Sequence, residues 1–162
     1  MLSPEASKLD DVVFYGVAHD LYRALRAWNF YSTIADNARE IEERHVGQSF
    51  FGAAQQMAID ELYLMLARIF EKPKFHEIRS VPFAIQFAEK HAELLKVQNR
   101  ESASRVLRKL RVSWPDQADL SDKDFTCALC EIMRRSVANL PATQTLKLLR
   151  DKRLAHHDLS AP

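Results

Sequence analysis

Three glycines and six prolines in 162 residues leave few places where this chain can reverse sharply, and that shortage constrains its fold more than any other property. Tight hairpins draw on glycine for positive φ, and proline and glycine together punctuate loops. With so few breakers against 47% apolar residues, long helices are the economical solution and a many-stranded sheet is not. The length suits one domain with a true core. The expectation is an all-α, up-down helical bundle of four to five main helices, forming a single domain over residues 1–162.

Hydrophobic spacing divides the chain accordingly. Residues 1–10 read as a polar lead-in, with Pro4 as a stop. From about Asp10, apolar residues recur every three or four positions at Phe14, Val17, Ala18, Leu21, Leu25, Trp28, Tyr31, Ile34 and Ala35, the pattern of an amphipathic helix of some seven turns. The cluster from Arg39 to His45 extends that helix or forms its solvated end. It holds one Glu-x-x-His, Glu42 with His45, where a di-iron bundle needs two copies. Gly47-Gln48-Ser49 breaks the pattern and Ser49 offers a cap. A second helix runs from Phe50 to Phe70, apolar around more than half its circumference and so expected centrally. Asp60-Glu61 interrupts its surface, either as an exposed pair or as a half-buried acid that holds an arginine of the site.

Lys72 to Phe75 reads as a connection and His76 to Arg79 as the start of a short helix. Ser80, with Pro82 just inside, marks a helix start. Phe83, Phe87, Ala88, His91, Leu94 and Leu95 form its apolar face, with His91 at the core edge. Beyond Arg100, the apolar positions Val106, Leu107, Leu110 and Val112 oppose Arg105, Arg108, Lys109 and Arg111, a face suited either to solvent or to an RNA backbone. Trp114-Pro115-Asp116 closes that section. Ser121, three residues before Asp124, resembles a short capping box ahead of a helix from Phe125 to Val137. Leu140-Pro141 interrupts it, and Thr143 or Thr145 restarts a final helix expected over residues 143–157.

Charge and cysteine content narrow the function classes. The net charge of +1 does not advertise a polyanion partner, but residues 1–96 carry 11 Lys+Arg against 14 Asp+Glu, and residues 97–162 carry 12 against 8. The basic half is the C-terminal one. No run of about 20 apolar residues predicts a membrane span. Met1-Leu2-Ser3-Pro4-Glu5 lacks the order of a signal peptide, so the cytoplasm is the expected compartment. Cys127 and Cys130 form a lone Cys-x-x-Cys without a second ligand pair. On a helix they share the apolar face of Phe125, Leu129 and Met133 and read as small core residues, with a redox pair as the alternative.

The densest chemistry lies in Leu148-Leu149-Arg150-Asp151-Lys152-Arg153-Leu154-Ala155-His156-His157-Asp158. In a helix Arg150 and His157 stand nearly in line two turns apart, so a cation and a titratable base can face one ligand. The bland alternative is a helix C-terminus, where cations are favoured by about 0.3–1 kcal/mol each. Arg150-Asp151-Lys152-Arg153-Leu154-Ala155-His156 also resembles the Arg-polar-x4-6-His signature of the HEPN superfamily, in the Arg-Asp-Lys-x-x-Ala-His form of its abortive-infection (AbiU-type) branch. Leu66-Ala67-Arg68-Ile69-Phe70-Glu71 resembles that branch as well.

The resemblance implies a four-helix bundle, commonly a homodimer whose protomers share one cleft, and a metal-independent ribonuclease or toxin component that uses no cofactor. An RNA substrate and an antitoxin partner come with it. His156 takes the acid/base role, Arg150 the transition-state contact, and Asp151 orients one of them. His157 also satisfies the spacing and stays open as the working imidazole. Arg105, Arg108, Lys109, Lys152 and Arg153 are the candidate RNA contacts. A non-catalytic module binding RNA, nucleotide or another protein is the competing expectation. Relatives continue past the motif into another packed helix, whereas six residues follow His156 here. A partner subunit, a rearranged helix or a longer chain would then complete the bundle.

Overall fold

The structure, a computed structural model, describes residues 3–45, 47–73, 77–97, 99–109, 120–140 and 145–146. Its elements are α1 (Pro4–Asp10), a π-helix (Asp11–Ala18), α2 (His19–Asp36), α3 (Ala38–Arg44), α4 (Gln48–Ile69), α5 (Val81–Lys90), α6 (Arg100–Lys109) and α7 (Asp122–Ala138). No strand occurs among the described residues, and the all-α expectation holds.

Local chemistry accounts for the helix starts. Ser80 accepts a hydrogen bond from the Phe83 N–H at 3.3 Å and donates to the Glu71 carbonyl at 2.7 Å, so it caps α5 while closing the loop before it. Ser121 accepts from the Asp124 N–H at 3.1 Å and donates to the Asp124 carboxylate at 2.6 Å. Asn99 receives the Ser102 N–H at 3.0 Å, a cap for α6 that the spacing did not reveal.

Two expected boundaries move. Pro4 is not a stop: Ser3 caps α1 by accepting the Ala6 N–H, and Pro4 occupies the first turn, where its missing N–H costs nothing. Ser49 is not the cap of α4. Gly47 takes that place, with φ of 67° following His45 at φ of 53°, and left-handed backbone at both positions turns the chain between α3 and α4. Glu77 to Arg79 are not helical, and His76 lies outside the described residues.

The first helix is the central element among the described residues, rather than α4. Backbone torsions stay right-handed helical where α1 meets the π-helix and where the π-helix meets α2. Its N-terminal part packs on α5, and its C-terminal part packs on α4. Asp20 contacts Arg68 and Arg23 contacts Glu61, so α2 and α4 are antiparallel. Glu89 meets Arg134 and Glu93 meets Lys123, which makes α5 and α7 antiparallel too. Ile85, Ala88, Leu95 and Cys130 form a buried cluster between them, with Ala6, Leu9, Val81 and Val137 against it.

The π-helix changes which face of α2 is buried. An i→i+5 pattern turns each residue through less than the α-helical 100°, so a stripe extrapolated from Phe14 loses its phase. Phe14, Leu21, Leu25 and Trp28, on the apolar stripe of the sequence, are exposed. The buried positions of α2 are Asp20, Ala24, Ala27 and Ile34, facing Ala58, Met65 and Ile69 of α4. Alanines on both sides bring the two backbones close.

Gly16 sits where the π-helix crosses the segment before α5. A Cβ built there would stand 2.3 Å from Arg79 Cβ, close to the Arg79 backbone. Gly16→Ala therefore has to displace backbone, and overpacking of this kind costs about 1–3 kcal/mol. Urea unfolding of Gly16→Ala should show that loss. A change below about 0.5 kcal/mol, the range of neutral surface substitutions, would mean that the crossing is looser than described.

Candidate functional site

Arg150, Asp151, Lys152, Arg153, His156 and His157 lie outside the described residues. Thr145 and Leu146, at the start of the expected motif helix, are helical, and Leu146 is buried. The remaining candidates fall on α6. Arg105 is engaged by Glu101 at 3.2 Å, the Arg108 Nε donates to the Ser104 carbonyl at 3.4 Å, and Lys109 is exposed. The i,i+4 pairing with Glu101 offsets one of the three charges, leaving Arg108 and Lys109 as the outward cations.

Pattern reading missed the acid at the heart of the first helix. Asp20 is 2% exposed, although an Asp amid His19, Tyr22 and Arg23 reads as surface. Its Oδ2 stands 3.3 Å from Arg68 Nε, an ion pair by distance, yet it accepts no aligned hydrogen bond among the described residues. Its Oδ1 lies 3.8 Å from His19 Nδ1, beyond hydrogen-bonding range. Sequence did single out Arg68 within its hexapeptide, and the partner it lacked is Asp20.

The expectation for Asp60-Glu61 resolves into two roles. Glu61 is half-buried and receives the Arg23 Nε at 2.8 Å, so it does hold an arginine, one contributed by α2. Asp60 accepts from Gln56 at 3.1 Å along its own helix. Glu42 and His45 stay at the solvated end of α3, and His91 stacks on Phe87 with ring centroids 4.5 Å apart, a core-edge histidine.

The cysteines are free and lie on α7, Cys130 buried and Cys127 half-buried. Burial pushes the Cys130 thiol up to about 11, so it is protonated and poorly nucleophilic at neutral pH. Cys130 also lines an apolar cavity of about 430 Å³ with Leu9, Val13, Ile85, Leu129 and Met133. Among the described residues no three His, Cys, Asp or Glu side chains converge as they would on a metal ion. No helix there is long and apolar enough to cross a membrane.

Several surface carboxylates are held below their ordinary values by cations, two of them from another segment and one along the same helix. Lys123 lowers Glu93, Arg100 lowers Asp122, and Arg135 with Arg134 lowers Glu131. Arg100 also donates to the Leu120 carbonyl at 2.5 Å and lies 5.3 Å from the Phe125 ring centre, tying the start of α6 to the start of α7.

A family model described as AbiU2, HEPN_AbiU2, matches residues 7–162. No curated protein and no solved structure matches the chain.

The carboxylate shifts set an acid dependence. A carboxylate whose value falls on folding stabilises the fold above its unfolded value and loses that contribution as pH drops through the folded one. The thermal midpoint should therefore be flat from about pH 7 to about pH 5 and fall once pH passes below 4.5, the ordinary glutamate value. The fall should be smaller in Lys123→Ala, whose Glu93 is no longer depressed. Circular dichroism melts would refute the assignment if Lys123→Ala and the parent lost equal amounts.

Proposed function

Because the chain belongs to the AbiU2 family, the abortive-infection branch of the HEPN proteins, we propose that it is a defence ribonuclease that cleaves RNA without a metal ion. The observation that carries this reading is the string Arg150-Asp151-Lys152-Arg153-Leu154-Ala155-His156, which falls within the matched residues 7–162 of an all-helical chain.

Cleavage through the RNA's own 2′-hydroxyl needs a group near neutrality to take a proton and return one, and fixed positive charge where the phosphorane gathers negative charge. A histidine titrates in that range and an arginine presents a planar fork of donors. In this reading His156 transfers the protons and Arg150 meets the phosphorane oxygens. Asp151 orients Arg150 or the imidazole, and Lys152 and Arg153 hold the flanking phosphates. His157 competes with His156, favoured by helical alignment with Arg150, while Ala155 favours His156 through the family string.

The reading extends to assembly. A homodimer would bring two copies of the motif to one cleft, over a single domain of residues 1–162 whose motif helix spans 143–157. Arg108 and Lys109 on α6 would guide the RNA backbone, and Arg105 would join them on leaving Glu101. An antitoxin would restrain the enzyme, and the cytoplasm supplies its substrate.

RNA cleavage in excess EDTA, with solution mass measured alongside, tests this. Purified protein should cleave as a dimer, and one of His156→Ala and His157→Ala should lose at least about a hundredfold in rate, the scale of general acid–base catalysis. Cleavage unchanged in both variants removes the mechanism. A folded dimer that binds RNA and does not cleave it is instead the non-catalytic binding module.

A further inference from the structure

Among α2 residues, His19, Tyr22, Arg26 and Phe30 recur at intervals of three, four and four, and so share one helical face. All four are exposed, Tyr22 at 60% and Phe30 at 51%. The Arg26 guanidinium lies 5.9 Å from the Tyr22 ring centre. Arg68 of α4 is half-exposed and contacts Asp20, the residue that follows His19 in sequence.

Asp20 shows that the arrangement is not simple packing. Burying a carboxylate costs about several kcal/mol unless pairing and hydrogen bonds are both good, and here the pairing is off line. The same seam is filled by Ala24 and Ala27, so an apolar residue would sit there more cheaply. What the buried charge does achieve is to fix Arg68. That guanidinium is half-exposed and has no other partner among the described residues, so its terminal nitrogens are available to a ligand. The π-helix ends at Ala18, immediately before this group, and π segments recur at functional sites.

Aromatic rings alternating with cations on an exposed face are what a single-stranded nucleic acid requires. Rings stack on bases whatever their sequence, and guanidinium forks take the phosphates between them. We propose that His19, Tyr22, Arg26 and Phe30, completed by Arg68, form a contact surface for single-stranded RNA, with Asp20 as the positioning residue for Arg68. This surface is separate in sequence from the C-terminal motif, and the proposal rests on the reading of the chain as an RNA-acting protein.

The test is fluorescence anisotropy of a labelled 2′-O-methyl RNA of about 12 nucleotides, long enough for one such site and lacking the hydroxyl through which cleavage would run. Binding is measured across a salt series for the full chain, Tyr22→Ala, Arg26→Ala, Arg68→Ala, Arg68→Lys and Asp20→Asn, with Arg39→Ala as a distant surface control. Tyr22→Ala should weaken binding about tenfold. Arg26→Ala and Arg68→Ala should each reduce the salt slope by about one. Asp20→Asn should reproduce the slope of Arg68→Ala and add nothing to it in the double variant, a result that destabilisation alone would not give. If Asp20→Asn fails to fold, partial recovery by Arg68→Lys still reports whether the cation at that place matters. Should the parent bind and every α2 and Arg68 variant match it, the surface is refuted and the RNA reading stands. A parent that neither binds this RNA nor cleaves unmodified RNA removes the RNA reading, and the surface with it.

Discussion

The contact between Gly16 and the stem of Arg79 fixes where the first helix crosses the segment leading into α5, and the rest of the molecule is arranged around that crossing. Upstream, α1 lies against α5 and the apolar cluster it shares with α7. Downstream, α2 lies along α4. One continuous helix thus serves two sets of neighbours. The Asp11 carboxylate, 2.9 Å from the Arg79 guanidinium, adds a polar tie at the same point. It is exposed and contributes little by itself; the steric fit of a residue without a side chain supplies the specificity.

The π-helix makes the two packings compatible. It turns each residue through less than an α-helix does, so the three-and-four stripe does not carry its phase from Phe14 into α2. Phe14, Leu21, Leu25 and Trp28 face solvent, Ile34 of the same stripe stays buried, and a carboxylate enters the seam beside Arg68. Stability and chemistry pull apart at that place: the arrangement exposes ring and leucine surface and buries charge, both unfavourable. Departures of this kind from a locally consistent design gather at functional positions.

This also explains what could be read from the sequence. Ser80 and Ser121 were legible as caps because a hydroxyl ahead of a helix acts through bonds three residues away, whatever the tertiary context. Helix class and most extents followed from spacing and the scarcity of breakers. The buried face of α2 was not legible, since one π segment shifts phase without an obvious residue signature. Asp20 stayed hidden for a related reason: an acid among polar neighbours looks solvated until a partner helix covers it. The Arg150 to His156 string was legible through its family resemblance, a matter of chemistry rather than packing.

The seam between α2 and α4 has one more consequence. Ala24, Ala27 and Ala58 already carry the smallest side chain that preserves ordinary helical backbone, and a step down to glycine costs about 0.5–1 kcal/mol in chain entropy. A step up forces the two helices apart along their whole length. Change at these positions is therefore restricted in both directions, with little to remove and no room to add. Outward positions of α2 away from His19, Tyr22, Arg26 and Phe30, such as Leu21 and Leu25, have no such restriction, so divergence should accumulate there while the alanines stand still.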